Sequence, residues 1–156
     1  METKQTEDLL KRSDAYMNNL FMQAPAIICM LRGPEHVFEL ANEMYMKVVG
    51  NRNIIGKPIR EALPELKGQG FYELLDEVYK TGKSFTANEA LVHLDKGNGK
   101  PEDCFFNFVY QASRDGKGKI GGIFVFSMEV TEQVLARKKN EAEIKKKSEE
   151  LIFQEE

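Results

Sequence analysis

Hydrophobic residues recur along the chain with two different spacings, which separate helical from extended segments. Within residues 6–22, apolar side chains that include Leu20 and Phe21 return every three or four positions, so we expect an amphipathic flanking helix that packs on another surface. Residues 26–31 and 36–40 are short apolar runs on either side of a Gly-Pro turn. Such a pair of runs predicts a β-hairpin.

Short helices and then three longer strands are predicted after the hairpin. Asn42 can accept a backbone N–H at a helix start, and Gly50 can end that helix. Residues 71–80 carry apolar side chains on one face and predict the best-defined helix of the domain. Alternating segments separated by short glycine-rich turns predict three antiparallel strands, at 84–94, 104–112 and 120–128. This order of elements predicts an α+β fold with the helices on one face of the sheet.

The C-terminal segment has a different composition, because it contains neither glycine nor proline and mixes charges of both signs. Thr131 is a good residue to begin a helix there. Val134, Ile144 and Leu151 share one seven-residue frame, but charged residues interrupt the apolar seam, so the helix forms at best a weak coiled coil. The chain thus divides into a flanking helix, a central domain and a C-terminal helix, at 6–22, 23–130 and 131–156.

Composition limits the functions that this chain can carry. Its 156 residues suit one domain with a tail, and a net charge of -3 argues against nucleic-acid binding. The apolar runs are too short to cross a membrane, and no signal peptide precedes them, so we expect a cytoplasmic protein. Cys29 and Cys104 provide neither a disulfide framework nor a CxxC pair, and no metal site is expected.

Strand alternation predicts which side chains face the helices. If Ser127 points inward, so does Val125, and the matching set on the preceding strand is Phe106, Phe108 and Tyr110. Three large aromatic rings can fill a core, or they can border a cavity for a small apolar or mixed ligand. His93 is a further candidate for the cavity wall, and the alternative is an edge-strand histidine that reaches solvent.

The opposite face of the sheet is predicted to be apolar as well. It carries Phe124 and Phe126, and such a surface is too hydrophobic to stay in contact with water. We therefore expect the N-terminal helix, through Leu20 and Phe21, or a partner subunit to cover it. A homodimer is the expected assembly.

The last strand and the helix that follows it closely resemble the end of a PAS domain. The resemblance lies in residues 121–133, where the strand enters the helix through Glu129-Val-Thr131. Glu129 stands where the family usually has an aspartate. Other segments that resemble the family, in the family's order, are 38–42, 54–58 and 105–115. The resemblance is to the PAS modules of bacterial sensor histidine kinases and covers 23–133.

The resemblance implies a five-stranded antiparallel sheet in the order 2-1-5-4-3. That order puts Cys29 and Cys104 two strands apart, about 9–10 Å at ~4.8 Å per strand, which is too far for a disulfide. It also implies that Glu129 and Thr131 relay a signal into the C-terminal helix, towards an effector such as the kinase of a two-component system. Haem and flavin are disfavoured, because residues 71–80 hold no axial histidine and residues 51–53 hold no reactive cysteine.

We expect that the chain is not an enzyme by itself, since it shows neither a phosphoacceptor histidine on a helix nor ATP-binding glycine motifs. Two rival interpretations stay open. A ligand-free dimerisation module predicts a solid core, whereas a ligand sensor predicts a pocket above ~300 Å³. A small enzyme on an α+β fold would have to use His93 and Tyr110, the titratable groups nearest the predicted cavity.

Overall fold

The computed structural model describes residues 2–155, whose elements follow the order predicted from the hydrophobic pattern. The helices are α1 (Glu2–Gln23), α2 (Glu43–Val48), α3 (Ile59–Ala62), α4 (Phe71–Thr81) and α5 (Thr131–Glu155), with one 3₁₀ turn at Pro64–Leu66. The strands are β1 (Ile27–Arg32), β2 (Val37–Ala41), β3 (Phe85–Asp95), β4 (Pro101–Arg114) and β5 (Ile120–Glu129).

All five strands join one sheet, in which every neighbouring pair is antiparallel. The strand order is β2-β1-β5-β4-β3, which confirms the predicted order. Tight turns explain the neighbours that are consecutive in sequence, since a short connection can only return a strand beside itself. The chain crosses from one edge of the sheet to the other through α2, α3 and α4. The last strand, β5, therefore lies at the centre.

The hydrophobic core lies between the inner face of the sheet and the helices α2 to α4. Phe38 from β2, Leu75 from α4 and Ile123 from β5 are almost completely buried there. The apolar stripe predicted for residues 71–80 supplies the helical side, since Phe71, Leu75 and Val78 recur every three or four positions on α4 and are buried.

One buried side chain ties the start of the sheet to the first helix behind it. The amide oxygen of Asn42 accepts the backbone N–H of Tyr45, at 3.0 Å, as predicted for a helix cap. The same oxygen accepts the N–H of Ile28, at 3.1 Å, and the amide nitrogen donates to the carbonyl of Ala26, at 2.7 Å. Asn42 is fully buried, so it satisfies backbone groups that water cannot reach.

The outer face of the sheet carries an exposed apolar surface. Phe126 is 38% exposed and Met128 is 51% exposed, while Phe124 is half-buried. Helix α1 contacts α2 and leaves these two side chains uncovered, and Leu20 on α1 is itself half exposed. Helix α1 therefore leaves part of this face exposed, and a partner subunit is the other cover that the sequence analysis expects.

The C-terminal helix begins at Thr131, as predicted, and leaves the domain after its first turns. Val134 is buried, whereas Ile144 and Leu151 are mostly exposed, so the apolar positions after Val134 have no covering surface among the described residues. None of the described helices is long and apolar enough to span a bilayer. The two cysteines are free, and β5 lies between the strands that carry them.

We expect Asn42→Ala to lower the free energy of unfolding by roughly 2–4 kcal/mol, because a cap is lost and buried backbone groups lose their partner. Urea unfolding followed by far-UV circular dichroism measures the change. Asn140→Ala is the matched control, since that asparagine is exposed on α5, and its effect should stay within about 0.5 kcal/mol. Equal effects of the two substitutions would contradict the assigned role of Asn42.

Candidate functional site

An apolar cavity lies inside the core, between the sheet and the helices α2 to α4. Its volume is about 80 Å³. Five of the six side chains predicted for the cavity wall line it, namely Phe106, Phe108, Tyr110, Val125 and Ser127. The period-two alternation of β4 and β5 brings them together, because every second residue of each strand faces inward.

His93 is not at the cavity. Its ring is half exposed, and its Nδ1 atom lies 2.8 Å from Oδ1 of Asp103 on the neighbouring strand. The expectation that His93 lines the pocket is therefore wrong, and the alternative of an edge-strand histidine that reaches solvent holds. The physical reason is alternation, since the neighbours Val92 and Leu94 occupy the inward positions of β3.

Aromatic packing explains why the cavity is small. The rings of Phe108 and Tyr110 stack at 4.6 Å between centroids. Phe71 from α4 meets Phe108 edge-on at 5.8 Å, and Phe85 from β3 lies at 5.9 Å from it. Pockets for drug-sized ligands usually hold ~300–1,000 Å³. The volume of about 80 Å³ is below the size predicted for a sensor, because this cluster occupies much of the space.

The cavity wall is neutral. None of the described residues that line it is charged, and its polar atoms are two tyrosine hydroxyls, one serine hydroxyl and one thiol. Burial raises the pKa of Cys29 and of Tyr110, which keeps both protonated. Ser127 and Tyr110 both line the cavity. Their hydroxyls are therefore the polar groups of β4 and β5 at an otherwise apolar surface.

The strand that forms the cavity floor leads directly to the start of α5. Val125, Ser127 and Glu129 alternate along the same face of β5, and Glu129 pairs in register with Phe106. The hydroxyl of Thr131 donates to Oε2 of Glu129, at 2.7 Å. Glu129 therefore makes the junction contact, although it stands where the family usually has an aspartate.

Two further groups complete this junction. The hydroxyl of Thr131 accepts the backbone N–H of Phe105, at 2.9 Å, and the N–H of Val130 donates to the carbonyl of Phe105, at 2.7 Å. Nζ of Lys96 donates to Oε2 of Glu129, at 2.6 Å. Burial alone would lower the pKa of Lys96, but the Glu129 carboxylate raises it above its usual value.

The second turn of α5 is attached to β3 and β4. Arg137 forms a two-pronged ion pair with Glu89, with Nη2 to Oε2 at 2.8 Å. Glu89 lies in a bulge of β3 and has a φ of 53°, and its N–H is accepted by the Asn107 side chain at 2.7 Å. Nζ of Lys138 lies 4.8 Å from the ring centroid of Phe105. These contacts fix the direction in which α5 leaves the sheet.

One more group of side chains joins the helical wall of the cavity to the edge of β3. Arg52 and Glu65 form an ion pair at 2.6 Å. Burial alone would raise the pKa of Glu65, but the hydrogen bond from Arg52 and the N–H of Asp95 hold it below its usual value. Gln69 bonds to the backbone of His93 from the same side.

The sequence analysis named five residues of the cavity wall and named Glu129 and Thr131 at the start of α5. It did not foresee the contacts of Lys96 and Arg137 or the ion pair between Arg52 and Glu65. Arg52 and Glu65 are 13 residues apart, and Arg137 is 48 residues from Glu89. No periodicity links such positions. Among residues 2–155, no group of three histidine, cysteine or acidic side chains is placed to hold a metal ion.

A five-stranded antiparallel sheet with helices on one face, whose last strand leads directly into a C-terminal helix, defines a small α+β module. A family model described as the PAS fold matches residues 21–135 of this chain. The chain therefore belongs to the PAS family, as the resemblance of its last strand predicted.

Solved structures agree on the fold. Vibrio cholerae VqmA bound to DPO is 23% identical, with a TM-score of 0.59, and the match covers 74% of this chain and 57% of VqmA. An RNA-binding light-oxygen-voltage receptor is 16% identical, with a TM-score of 0.63, and the match covers 78% of this chain and 34% of the receptor. This chain thus spans little more than half of VqmA.

A sensory-box sensor histidine kinase structure from Vibrio cholerae is also similar. Its identity is 20% and its TM-score is 0.51, and the match covers 80% of this chain and 95% of that one. At such identities the likeness concerns the fold alone. The neighbours therefore include a sensory-box sensor histidine kinase as well as receptors described as binding DNA or RNA.

We expect Glu65→Gln to lower stability at neutral pH by roughly 1–3 kcal/mol, because a hydrogen-bonded charge is lost. The pKa of Glu65 is lowered in the folded state, so its contribution is fully present above the unfolded value near 4.5. It disappears as the pH falls through the lower folded pKa. Urea titrations from pH 7 to pH 3 should therefore converge for the two proteins. Glu77→Gln, an exposed change on α4, is the control, and a pH-independent gap would contradict the pair's role.

Proposed function

We propose that this chain is a PAS sensory module that detects a small ligand and relays its presence through α5 to an effector. The observation that carries the proposal is the continuity of β5. Ser127 lines the cavity, Glu129 follows on the same face, and Thr131 begins the helix. A ligand that changes how β5 packs therefore acts on the first turn of α5 without an intermediate element.

The cavity favours a ligand that is small, neutral and mostly apolar, with one or two hydrogen-bonding groups. An ion would lose its hydration without a partner, because no described wall residue is charged. Ser127 and Tyr110 line the cavity, and the hydroxyl of each can bond to a polar atom of the ligand. The volume of about 80 Å³ excludes haem and flavin unless the wall moves. The VqmA structure, which holds DPO, supports a small ligand in this fold.

A ligand-free dimerisation module is the second candidate, and the small cavity favours it. The aromatic cluster around Phe108 fills most of the space that a ligand would take. In this case Ser127 and Tyr110 are core residues, and α5 is held in one pose by the junction contacts. The ligand titration below decides between the two candidates.

We propose further that the chain is not catalytic by itself. Tyr110 lies at the cavity, but burial raises its pKa, so it does not act as a base near neutral pH. His93, the other candidate, lies outside the cavity and contacts Asp103. Tyr110 is buried but stays protonated, and His93 is half exposed, so neither is a buried group that exchanges protons near neutral pH, as an enzyme on this fold would need.

We propose a homodimer in which the outer face of the sheet meets the partner. Phe124, Phe126 and Met128 form an apolar surface on β5. On α1, Leu20 is exposed and Phe21 is partly buried, and both remain candidates for the same interface. Exposed surfaces of this kind mark interaction sites. VqmA is described as a dimer, which supports the same assembly for this fold.

The proposed effector is a histidine kinase that follows α5 in the parent protein. This proposal is supported by the likeness to a sensory-box sensor histidine kinase and by helix α5, which continues from the last strand of the domain. VqmA has a target DNA and the light-oxygen-voltage receptor binds RNA, but the net charge of -3 favours no nucleic-acid contact by this chain itself. Both cysteines are free and buried, as in proteins of a reducing compartment, and we propose the cytoplasm.

We expect phenol to shift the methyl resonances of Val125 and Ile27, which line the cavity, in an NMR titration, whereas benzoate at the same concentration leaves them unchanged. The reason is the neutral wall, which accepts a hydroxyl but not a carboxylate. Ser127→Ala should weaken phenol binding about fivefold, the effect of about one hydrogen bond. Ser84→Ala, exposed before β3, is the control. If neither compound binds, the ligand-free module is favoured.

We expect Thr131→Val to uncouple α5 from the sheet, because it leaves the N–H of Phe105 and the carboxylate of Glu129 without their shared partner. Amide exchange in the first turn of α5 should rise about fivefold. In the same protein, the phenol-induced shifts at residues 132–134 should fall by half or more, while the phenol affinity stays within about twofold. Thr86→Val, exposed on β3, is the control. If the phenol-induced shifts at residues 132–134 are unchanged in Thr131→Val, the proposed relay through Thr131 is wrong.

A further inference from the structure

The outer edge of β3 is covered by side chains instead of by another strand. β3 pairs with β4 on one side only, and the backbone groups of alternate residues point away from that pairing. Arg52, Glu65 and Gln69 bond to these groups, and we call the three side chains the edge bridge.

Gln69 takes the position of a neighbouring peptide at His93. The N–H of His93 donates to Oε1 of Gln69, at 2.7 Å, and Nε2 of Gln69 donates to the carbonyl of His93, at 2.9 Å. Nε2 also donates to the carbonyl of Glu65, at 2.8 Å. The Gln69 amide thus occupies both backbone groups of one β3 residue, as a paired strand would.

Arg52 and Glu65 repeat the arrangement two residues further along the strand. The N–H of Asp95 donates to Oε2 of Glu65, at 3.0 Å, and Nη2 of Arg52 donates to the carbonyl of Asp95, at 2.8 Å. The guanidinium also contacts both oxygens of Glu65, and its Nε donates to the carbonyl of Val49. The edge bridge therefore holds β3 at two successive outward-facing positions.

The edge bridge crosses the seam between two walls of the cavity. On one side, Leu63, Leu66 and Phe71 line the cavity from the segment that carries Glu65 and Gln69. On the other side, Val92 and Leu94 line it from β3. At the level of His93 and Asp95, these two walls are therefore joined by hydrogen bonds from side chains to the backbone of β3. Within the described residues, no strand pairs with β3 on this side.

This seam can open without breaking the sheet. The bonds of Gln69 to His93 are at the surface, so water can replace them, while the β3–β4 ladder stays paired on the other side. Gln69 lies between Gly68 and Gly70, whose φ angles are 82° and 92°. Space is open around both glycines, and residues without a side chain allow the backbone to rotate there.

We propose that the edge bridge is the gate through which a ligand enters the cavity. The proposal deepens the sensory function above and rests on it for the ligand. The cavity volume of about 80 Å³ must increase for most ligands, and separation of the Gln69 segment from β3 provides both the passage and the space. The competing explanation is that the edge bridge only protects an open strand edge from pairing with other chains.

Native-state hydrogen exchange separates these explanations in the unliganded chain. A gate opens as a unit, so the amides of His93 and Asp95 should share one opening free energy that depends little on denaturant. It should be smaller than that of Val92, whose backbone faces β4. In Gln69→Ala, opening at Asp95 should increase about fivefold, although Asp95 keeps its own acceptor, Glu65. Gln133→Ala, exposed on α5, is the matched control.

Xenon tests the passage itself, because apolar cavities bind it without needing polar contacts. Its exchange rate with the cavity, measured by xenon NMR, should rise in Gln69→Ala by the same factor as the opening at Asp95. If Gln69→Ala changes amide exchange at His93 alone, and leaves amide exchange at Asp95 and the xenon exchange rate unaltered, the gate is wrong. The edge bridge would then only protect the strand edge from pairing with other chains. A cavity that takes up no xenon counts against the ligand-sensing function, while the exchange at Asp95 still decides whether the bridge opens as a unit.

Discussion

The central position of β5 is the constraint on which the rest of the structure depends. Because β5 pairs on both sides, its inward side chains lie beneath the helices at the middle of the core. Period-two alternation then puts Val125 and Ser127 on the cavity wall and Glu129 at the end of the same face. The strand β5 therefore forms one wall of the candidate binding site and also leads directly into helix α5.

The junction at Thr131 converts that strand into a helix through a shared set of hydrogen bonds. Its hydroxyl bonds to both Phe105 and Glu129, and Lys96 neutralises the same carboxylate. Partly exposed contacts of this kind are weak individually. Weak junction contacts suit the proposed relay. A ligand must bind one conformation ~5.5 kcal/mol more tightly than the other to move their populations from 1:99 to 99:1. Strong contacts that stabilise one pose of α5 would raise the affinity difference that the ligand has to supply.

Charge is excluded from the cavity and concentrated at its boundaries. The wall is made of apolar, aromatic and hydroxyl-bearing residues, while Arg52 and Glu65 lie at the edge of β3 and Lys96 and Glu129 lie at the junction. Ion pairs at these positions keep partial contact with water, which lowers the cost of burying them. The interior is therefore neutral, and the ion pairs at its boundaries connect the surrounding elements.

Local sequence determined the elements and their faces, because period two and period 3.6 depend only on neighbouring residues. It predicted the hairpin and the start of α5 at Thr131. It also predicted the side chains of β4 and β5 that point inward, namely Phe106, Phe108, Tyr110, Val125 and Ser127. Tertiary structure decided the rest. The cavity volume depends on how the ring of Phe71 meets Phe108, and the edge bridge depends on pairs as distant as Gln69 and His93. Such contacts arise from how helices and strands meet, which no repeat along one chain records.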